Sequence, residues 1–158
     1  MSKISNLLFT KKLYDSAMLP KKGSDFAAGL DLFANNYEGM EGDKEEWTVS
    51  INPNSTMKIG TGIAVEIPTG YFGGVYARSG LATKQGLAPA NKVGVIDSDY
   101  RGEIIVALHN SSNMPQFIHK NDRIAQLIIQ PYLDVVPELI SDLSETERGD
   151  GGFGHTGS

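Results

Sequence analysis

The chain has no cysteine among its 158 residues. That excludes disulfides, a thiol nucleophile and thiolate metal sites, and it suits a reducing compartment. Long apolar runs are also missing. Nothing nears the roughly 20 residues of a membrane span, and the opening MSKISNLLFTKK lacks the apolar stretch of a secretory signal. The sequence therefore predicts a cytoplasmic protein with no membrane partner. A basic excess is absent too: 14 Lys and Arg against 19 Asp and Glu give a net charge of -5. That sign disfavours general nucleic-acid binding, so no nucleic-acid partner is expected. It leaves small anions open, because a few arginines and backbone N–H groups hold phosphate even on an acidic protein. The three histidines, His109, His119 and His155, lack metal-ligand spacing and read as structural or surface residues.

What is present is ordinary for one globular domain: 40% apolar and 21% charged residues. Short β-type runs recur between Gly, Pro and Asn punctuation. They predict strands over 7–12, 30–33, 48–51, 57–67, 71–76, 94–96, 104–109 and 123–131. Many short strands, with 18 glycines and 7 prolines, point to an all-β sandwich or jelly roll. One short helix is expected over 80–85, with Ser79 as its N-cap. Residues 35–54 are acidic and turn-rich, and read as an exposed loop or an extra hairpin around Trp47. The tail RGDGGFGHTGS is too rich in glycine to build a core.

Five segments contain the residues that could do chemistry. GVIDSDYRGEI puts Asp97 after an apolar strand, with Tyr100 close behind, and reads as a β-hairpin tip that resumes at Ile104. Turn chemistry alone also explains it. In AGLDLFA, Asp31 lies between apolar neighbours: a buried, bonded carboxylate, a site residue or a solvent-facing one. ARSGLA opens the short helix with Arg78, Ser79 and Gly80, which suits either an anion site or a plain cap. In RIAQLI, Gln126 interrupts an apolar strand, and its amide needs a backbone or ligand partner. The tail supplies N–H groups for a phosphate and a stacking ring, Phe153.

Taken in order, AGLDLFA, ARSGLA, GVIDSDYRGEI, RIAQLI and RGDGGFGHTG resemble the five ordered segments of the trimeric deoxyuridine triphosphatases (dUTP pyrophosphatases). They span nearly the whole chain. The resemblance implies a jelly-roll-like β-barrel with one short helix, assembled as a homotrimer with C-terminal arm exchange. Residues 1–147 would form the domain, and residues 148–158 an arm closing a neighbouring site. It implies hydrolysis of dUTP to dUMP and pyrophosphate, which keeps uracil out of DNA and supplies dUMP for thymidylate synthesis. Asp97 matches the general base that activates water, and Asp31 a supporting carboxylate. Arg78, Ser79 and Gly80 match the phosphate-binding segment, and Gln126 the amide at the α-phosphate. Asn91, Gly94 and Ile96 match the stretch that reads uracil, and Tyr100 the ring against deoxyribose. Arg148, Phe153, Gly154, His155 and Thr156 match the closing arm. Mg2+ would be held mainly by substrate phosphates and water, with no dedicated metal cage built by the protein.

Two departures stand out. His155 occupies a position where the fifth segment usually has Ser, which puts that phosphate contact in question. Residues 35–54 are longer than the simplest family pattern, so either an idle insertion or a site for an unknown protein partner is open. The alternatives are a dCTP deaminase on the same fold, and a non-catalytic binding module that retains it.

Overall fold

The computed structural model describes residues 7–152. Its elements run β1 (Phe9–Lys12), β2 (Lys21–Lys22), β3 (Leu30–Phe33), β4 (Asn36–Tyr37), β5 (Thr48–Ile51), β6 (Thr56–Gly60), β7 (Ile63–Glu66) and β8 (Tyr71–Tyr76). There follow α1 (Ser79–Gln85), β9 (Leu87–Pro89), β10 (Gly94–Ile96), β11 (Ile105–Asn110), β12 (Gln116–His119) and β13 (Arg123–Pro131). A five-stranded sheet has the order β10-β8-β13-β3-β2, and a four-stranded sheet the order β4-β6-β11-β9. Two further pairs are β1-β7 and β12-β5. From β8 to β11 the chain changes between the two large sheets at every strand. The all-β, jelly-roll-like fold with one helix is therefore present. Its sheets are separate rather than hydrogen-bonded into a closed barrel, and they enclose one core.

Alternation explains that core. In β11, Val106, Leu108 and Asn110 point inward while Ile105 is exposed, as a period of two requires. They meet Leu32, Ile59, Ile118, Ile124 and Leu127, all buried in the same cluster. Burying each such aliphatic side chain contributes about 1.5–3 kcal/mol. Asn110 is the polar member, and every group on it is bonded. Its Nδ2 donates to the carbonyls of Ile51 and Met114, each at 2.8 Å. Its Oδ1 accepts from the Ser112 N–H at 2.9 Å and the Ser112 hydroxyl at 2.7 Å. The side chain thus ties β11 to β5 and to the turn before β12.

Three expectations are corrected. The single strand over 57–67 is two, because Gly62 takes φ +70, a left-handed conformation open to glycine, and β6 and β7 leave it into different sheets. The hairpin around Asp97 is a crossover: β10 pairs with β8, and β11 with β6 and β9. Ile104 fixes it, fully buried, its N–H donating to the Ile63 carbonyl at 2.9 Å and its carbonyl accepting from the Thr61 hydroxyl at 2.7 Å. The N-cap of α1 is Arg78, extended at φ -87 and ψ 128 with no side-chain capping bond, and Ser79 is the first helical residue.

The 35–54 segment is also less free than its charges suggest. Trp47 packs edge-on against Tyr37 at 5.1 Å and donates Nε1–H to the Asn35 carbonyl at 2.8 Å. Asp43 accepts from the N–H of Ser16 at 3.1 Å and from its hydroxyl. The nearly buried Lys120 ammonium reaches Asp43, Ser16 and the Lys44 carbonyl. Among the described residues, no helix is long and apolar enough to cross a membrane.

Candidate active site

The five-stranded sheet brings the first, second and fourth segments together. Across it, Asp31 on β3 faces Gln126 on β13, which faces Tyr76 on β8. Chain direction at the end of β8 then delivers Arg78 to the same neighbourhood. Arg78 donates Nε–H to Asp31 Oδ1 at 3.0 Å, and Arg123 approaches Asp31 Oδ2 at 3.4 Å. The Asp31 side chain is only 13% exposed, so it is a shielded carboxylate with one cation on each oxygen, not a solvent-facing one. Arg78 also donates to the Arg123 carbonyl at 3.3 Å. Held on two nitrogens, its guanidinium keeps Nη2 without a partner among the described residues, which is the geometry an anion clamp needs.

Gln126 completes this group. Its Nε2 donates to the Ala77 carbonyl at 2.9 Å, so the backbone partner, one of the two readings, is the one present. Gly29 makes room for it: a Cβ there would lie 2.5 Å from Gln126 Oε1. That explains the glycine of the first segment. Ser79 and Gly80 are exposed at the start of α1, where first-turn N–H groups lack helical partners and carry the positive end of the dipole.

The third segment forms a second group. Lys92, at φ 65, turns the chain after Asn91, and β10 then runs along β8 with Gly94 opposite Val75 and Ile96 opposite Gly73. Gly94 is buried, and a Cβ on it would meet Val75 at 3.2 Å and Asn91 Nδ2 at 3.3 Å. Asp97 follows in the open. Its carboxylate has no hydrogen bond or ion pair among the described residues, and with Phe72, Val95 and Tyr132 it lines a depression of about 340 Å³. The turn is fixed by the Tyr100 N–H on the Asp97 carbonyl at 3.1 Å and by Arg101 on the Ser98 carbonyl at 2.7 Å.

The two groups do not meet within one chain. β10 lies three strands from β3, and Asp97 lies about four residues along from the Tyr76–Gln126–Asp31 row. With about 4.8 Å between strands and 3.3 Å per residue, Asp97 and Asp31 are roughly 20 Å apart. Arg148 is exposed and, among the described residues, its side chain donates to the Gly151 carbonyl alone, at 2.8 Å, on residues 132–152, which carry no helix or strand. Phe153, Gly154, His155 and Thr156 lie outside the described residues. Among the described residues, no three His, Asp or Glu side chains converge where a metal ion could sit.

The dUTPase family model matches residues 15–157. The chain belongs to the dUTPase family. It is 44% identical over 150 residues to the deoxyuridine 5'-triphosphate nucleotidohydrolase of Hydrogenobaculum sp. (strain Y04AAS1), covering 95% of this chain and 97% of that one. The protein of the same name from Syntrophotalea carbinolica is 42% identical over 147 residues, covering 93% and 94%. Among solved structures, a mutant dUTPase of Staphylococcus bacteriophage 80alpha with dUpNHpp has a TM-score of 0.83 at 27% identity, covering 98% of this chain and 100% of that one.

In this dUTPase chain, sequence reasoning missed Arg123. The only signal was a cation opening the apolar strand of the fourth segment, and strand register was needed to bring it to Asp31.

Proposed function

We propose that this chain hydrolyses dUTP to dUMP and pyrophosphate in a site shared between copies of itself. The observation that carries the reading is the Arg78–Asp31–Arg123 cluster beside Gln126 and the start of α1. It is a cationic cradle on the same chain as an unengaged carboxylate, Asp97, and both lie in family segments. Triphosphate oxygens would lie on Arg78, Ser79 and Gly80, with Gln126 at the α-phosphate. Asp97 takes a proton from the attacking water. The water oxygen bonds to the α-phosphorus, and the bond to the bridging oxygen of the β-phosphate breaks. Pyrophosphate leaves with that electron pair. Charge grows on phosphate oxygens throughout, so the protein's main work is positioning and neutralisation.

A base must reach its water within hydrogen-bond distance, at most through one further water. The roughly 20 Å between the two groups therefore supports assembly. One chain supplies the phosphate cradle, another supplies Asp97, and residues 148–158 of a further chain close the site in a homotrimer. The exposed, irregular stretch after Tyr132 has the reach for such an exchange, leaving residues 1–147 as the domain. Mg2+ fits as part of the substrate complex: both Asp31 oxygens already face guanidinium groups, which leaves phosphate oxygens and water as its ligands. Its contribution there would be positive charge against the triphosphate.

Selectivity follows from the second group. Asn91 and the backbone at Gly94 and Ile96 read the uracil edge, and cytosine, with the reverse donor pattern, leaves buried groups unpaired. Tyr100 packs on deoxyribose where a 2′-hydroxyl would sit, and Phe153 stacks on the base. The setting is cytoplasmic, limiting uracil in DNA and providing dUMP. The test is pyrophosphate release with Mg2+ from dUTP beside dTTP, dCTP and UTP. Rapid release from dUTP alone is expected, and Asp97→Asn should lower it by about 10²–10⁴-fold while nucleotide still binds. Ammonia release from dCTP would favour the deaminase, and release from no nucleotide would favour a binding module.

A further inference from the structure

We propose that Gly102 and Glu103 are positioning residues for sugar selection, acting through Tyr100; this rests on the dUTPase reading above. The Tyr100 ring lies back over Gly102: a Cβ there would stand 2.6 Å from Tyr100 Cζ and 3.0 Å from Cε2. Gly102 does not have a positive φ, so backbone freedom is not what requires glycine here. The requirement is the space under the ring. The ring is then pinned at its far end, where its hydroxyl donates to the Glu103 carbonyl at 3.0 Å.

Glu103 is anchored in turn. A single oxygen, Oε1, accepts from the Gly62 N–H and from Asn36 Nδ2, each at 2.7 Å. Gly62 is the left-handed residue between β6 and β7, and Asn36 begins β4, which pairs with β6. The absent Cβ of Gly60 leaves the space in which Glu103 and Asn36 meet. The following residue, Ile104, is fixed by its own backbone bonds to Thr61 and Ile63. A continuous set of contacts therefore runs from the β6–β7 turn through Glu103 to the Tyr100 hydroxyl, with Gly102 under the ring. Tyr100 itself is 43% exposed, so the pose of its ring rests on these few contacts. Both donors to Glu103 are neutral, so the anchor needs an acceptor oxygen there, not a charge.

The readout is the ratio of kcat/KM for dUTP to that for UTP. Displacing a positioning group by about 1 Å can cost as much as 10²-fold. Gly102→Ala and Glu103→Ala should each lower the ratio by about tenfold or more, with UTP turnover rising relative to dUTP. Glu103→Gln, whose amide oxygen accepts both bonds, should keep the wild-type ratio. A merely structural role would depress both substrates equally and leave the ratio unchanged. A ratio within twofold of wild type in Gly102→Ala or in folded Glu103→Ala overturns the proposal, as does an equal loss in Glu103→Gln. Should Glu103→Ala not fold, Gly102→Ala decides. Tyr100→Ala separates the levels. If it lowers the ratio and Gly102→Ala does not, only the positioning proposal fails. If it leaves the ratio unchanged, sugar selection by Tyr100 fails and takes the proposal with it. A wild-type chain that releases no pyrophosphate from dUTP defeats the functional reading first.

Discussion

Replacing Asp31 by Asn keeps the side chain's shape and removes its charge. The wild-type carboxylate gives one oxygen to Arg78 at 3.0 Å and the other to Arg123 at 3.4 Å. An amide can satisfy only one of them, and its NH2 then faces the other guanidinium, donor against donor. Arg78 and Asp31 are 24% and 13% exposed, so solvent screens their bond little. Hydrogen bonds to charged groups contribute about 1.5–3 kcal/mol. The half-exposed Arg123 pair adds at most about 1 kcal/mol. For a chain of this size about 1 kcal/mol moves the melting temperature by 2–4 °C, so a fall of roughly 5–10 °C is expected. Catalysis should lose more. With Arg78 held at best by a neutral amide oxygen, its proposed approach to the phosphates would be misplaced, and kcat/KM for dUTP should fall by about 10²-fold. That is about 2.7 kcal/mol of transition-state stabilisation. The assay is pyrophosphate release at low substrate, beside thermal melting and deoxyuridine binding. Deoxyuridine carries no phosphate and, on the proposed reading, meets only the other group, so its affinity should hold. Activity within threefold of wild type would refute the reasoning. An equal loss of deoxyuridine binding would point to a general failure of the fold.

Asn110→Ala should be among the most destabilising single changes, because it removes the side-chain donor to the buried Ile51 carbonyl and the acceptor of the Ser112 N–H, and leaves the Met114 carbonyl only the Ser112 hydroxyl at 3.0 Å. A loss of about 3 kcal/mol is expected, read as a lower denaturation midpoint at unchanged slope; a loss under about 1 kcal/mol would contradict the bonding described. Asp43 gives a pH signature. The hydroxyl and N–H of Ser16, and then Lys120, hold its carboxyl below the usual range. A depressed folded value means the unfolded chain binds the proton more readily, so stability rises with pH. The contribution is complete above the unfolded value, near 3.9, and disappears as pH falls through the folded one. Wild type should lose melting temperature below about pH 4 more steeply than Asp43→Asn, and parallel curves would exclude that origin. Deleting residues 148–158 should leave a folded assembly with kcat/KM reduced by about 10²-fold or more; full activity would defeat the arm assignment.

Much of this was legible in the sequence because the signals are local. Runs such as TVSI, YFGGVY and RIAQLIIQP are strands by composition, and all three lie where composition puts them. Short strands such as Lys21–Lys22 and Gln116–His119 are polar or only two to four residues long, and pairing rather than propensity creates them. The break at Gly62 was hidden among β-branched neighbours. The supposed hairpin at Asp97 failed because partner choice is tertiary: Asp, Ser and Gly announce a turn but not the sheet to which the next strand goes. In the candidate site, residue identities came from motif order. The ion pairs on Asp31 came only from strand register, and sequence gave no hint of the carbonyl that receives the Tyr100 hydroxyl.

The surroundings of Asp97 link assembly to chemistry. The carboxylate stands in the open beside Phe72, Val95 and Tyr132, and Val95 and Tyr132 are 60% and 48% exposed. Apolar side chains around an unpartnered carboxylate neither shelter it nor bond it while the chain is alone. Covered by a second copy bearing the Arg78 cradle, as proposed, the same side chains would exclude bulk water. On the proposed reading the carboxylate would then face the water between it and the α-phosphorus. In such a closed space electrostatic stabilisation is stronger than in solvent. The proposed division of the site between copies thus has a physical consequence: base and phosphate cradle would come together only when association and substrate have both dried the site.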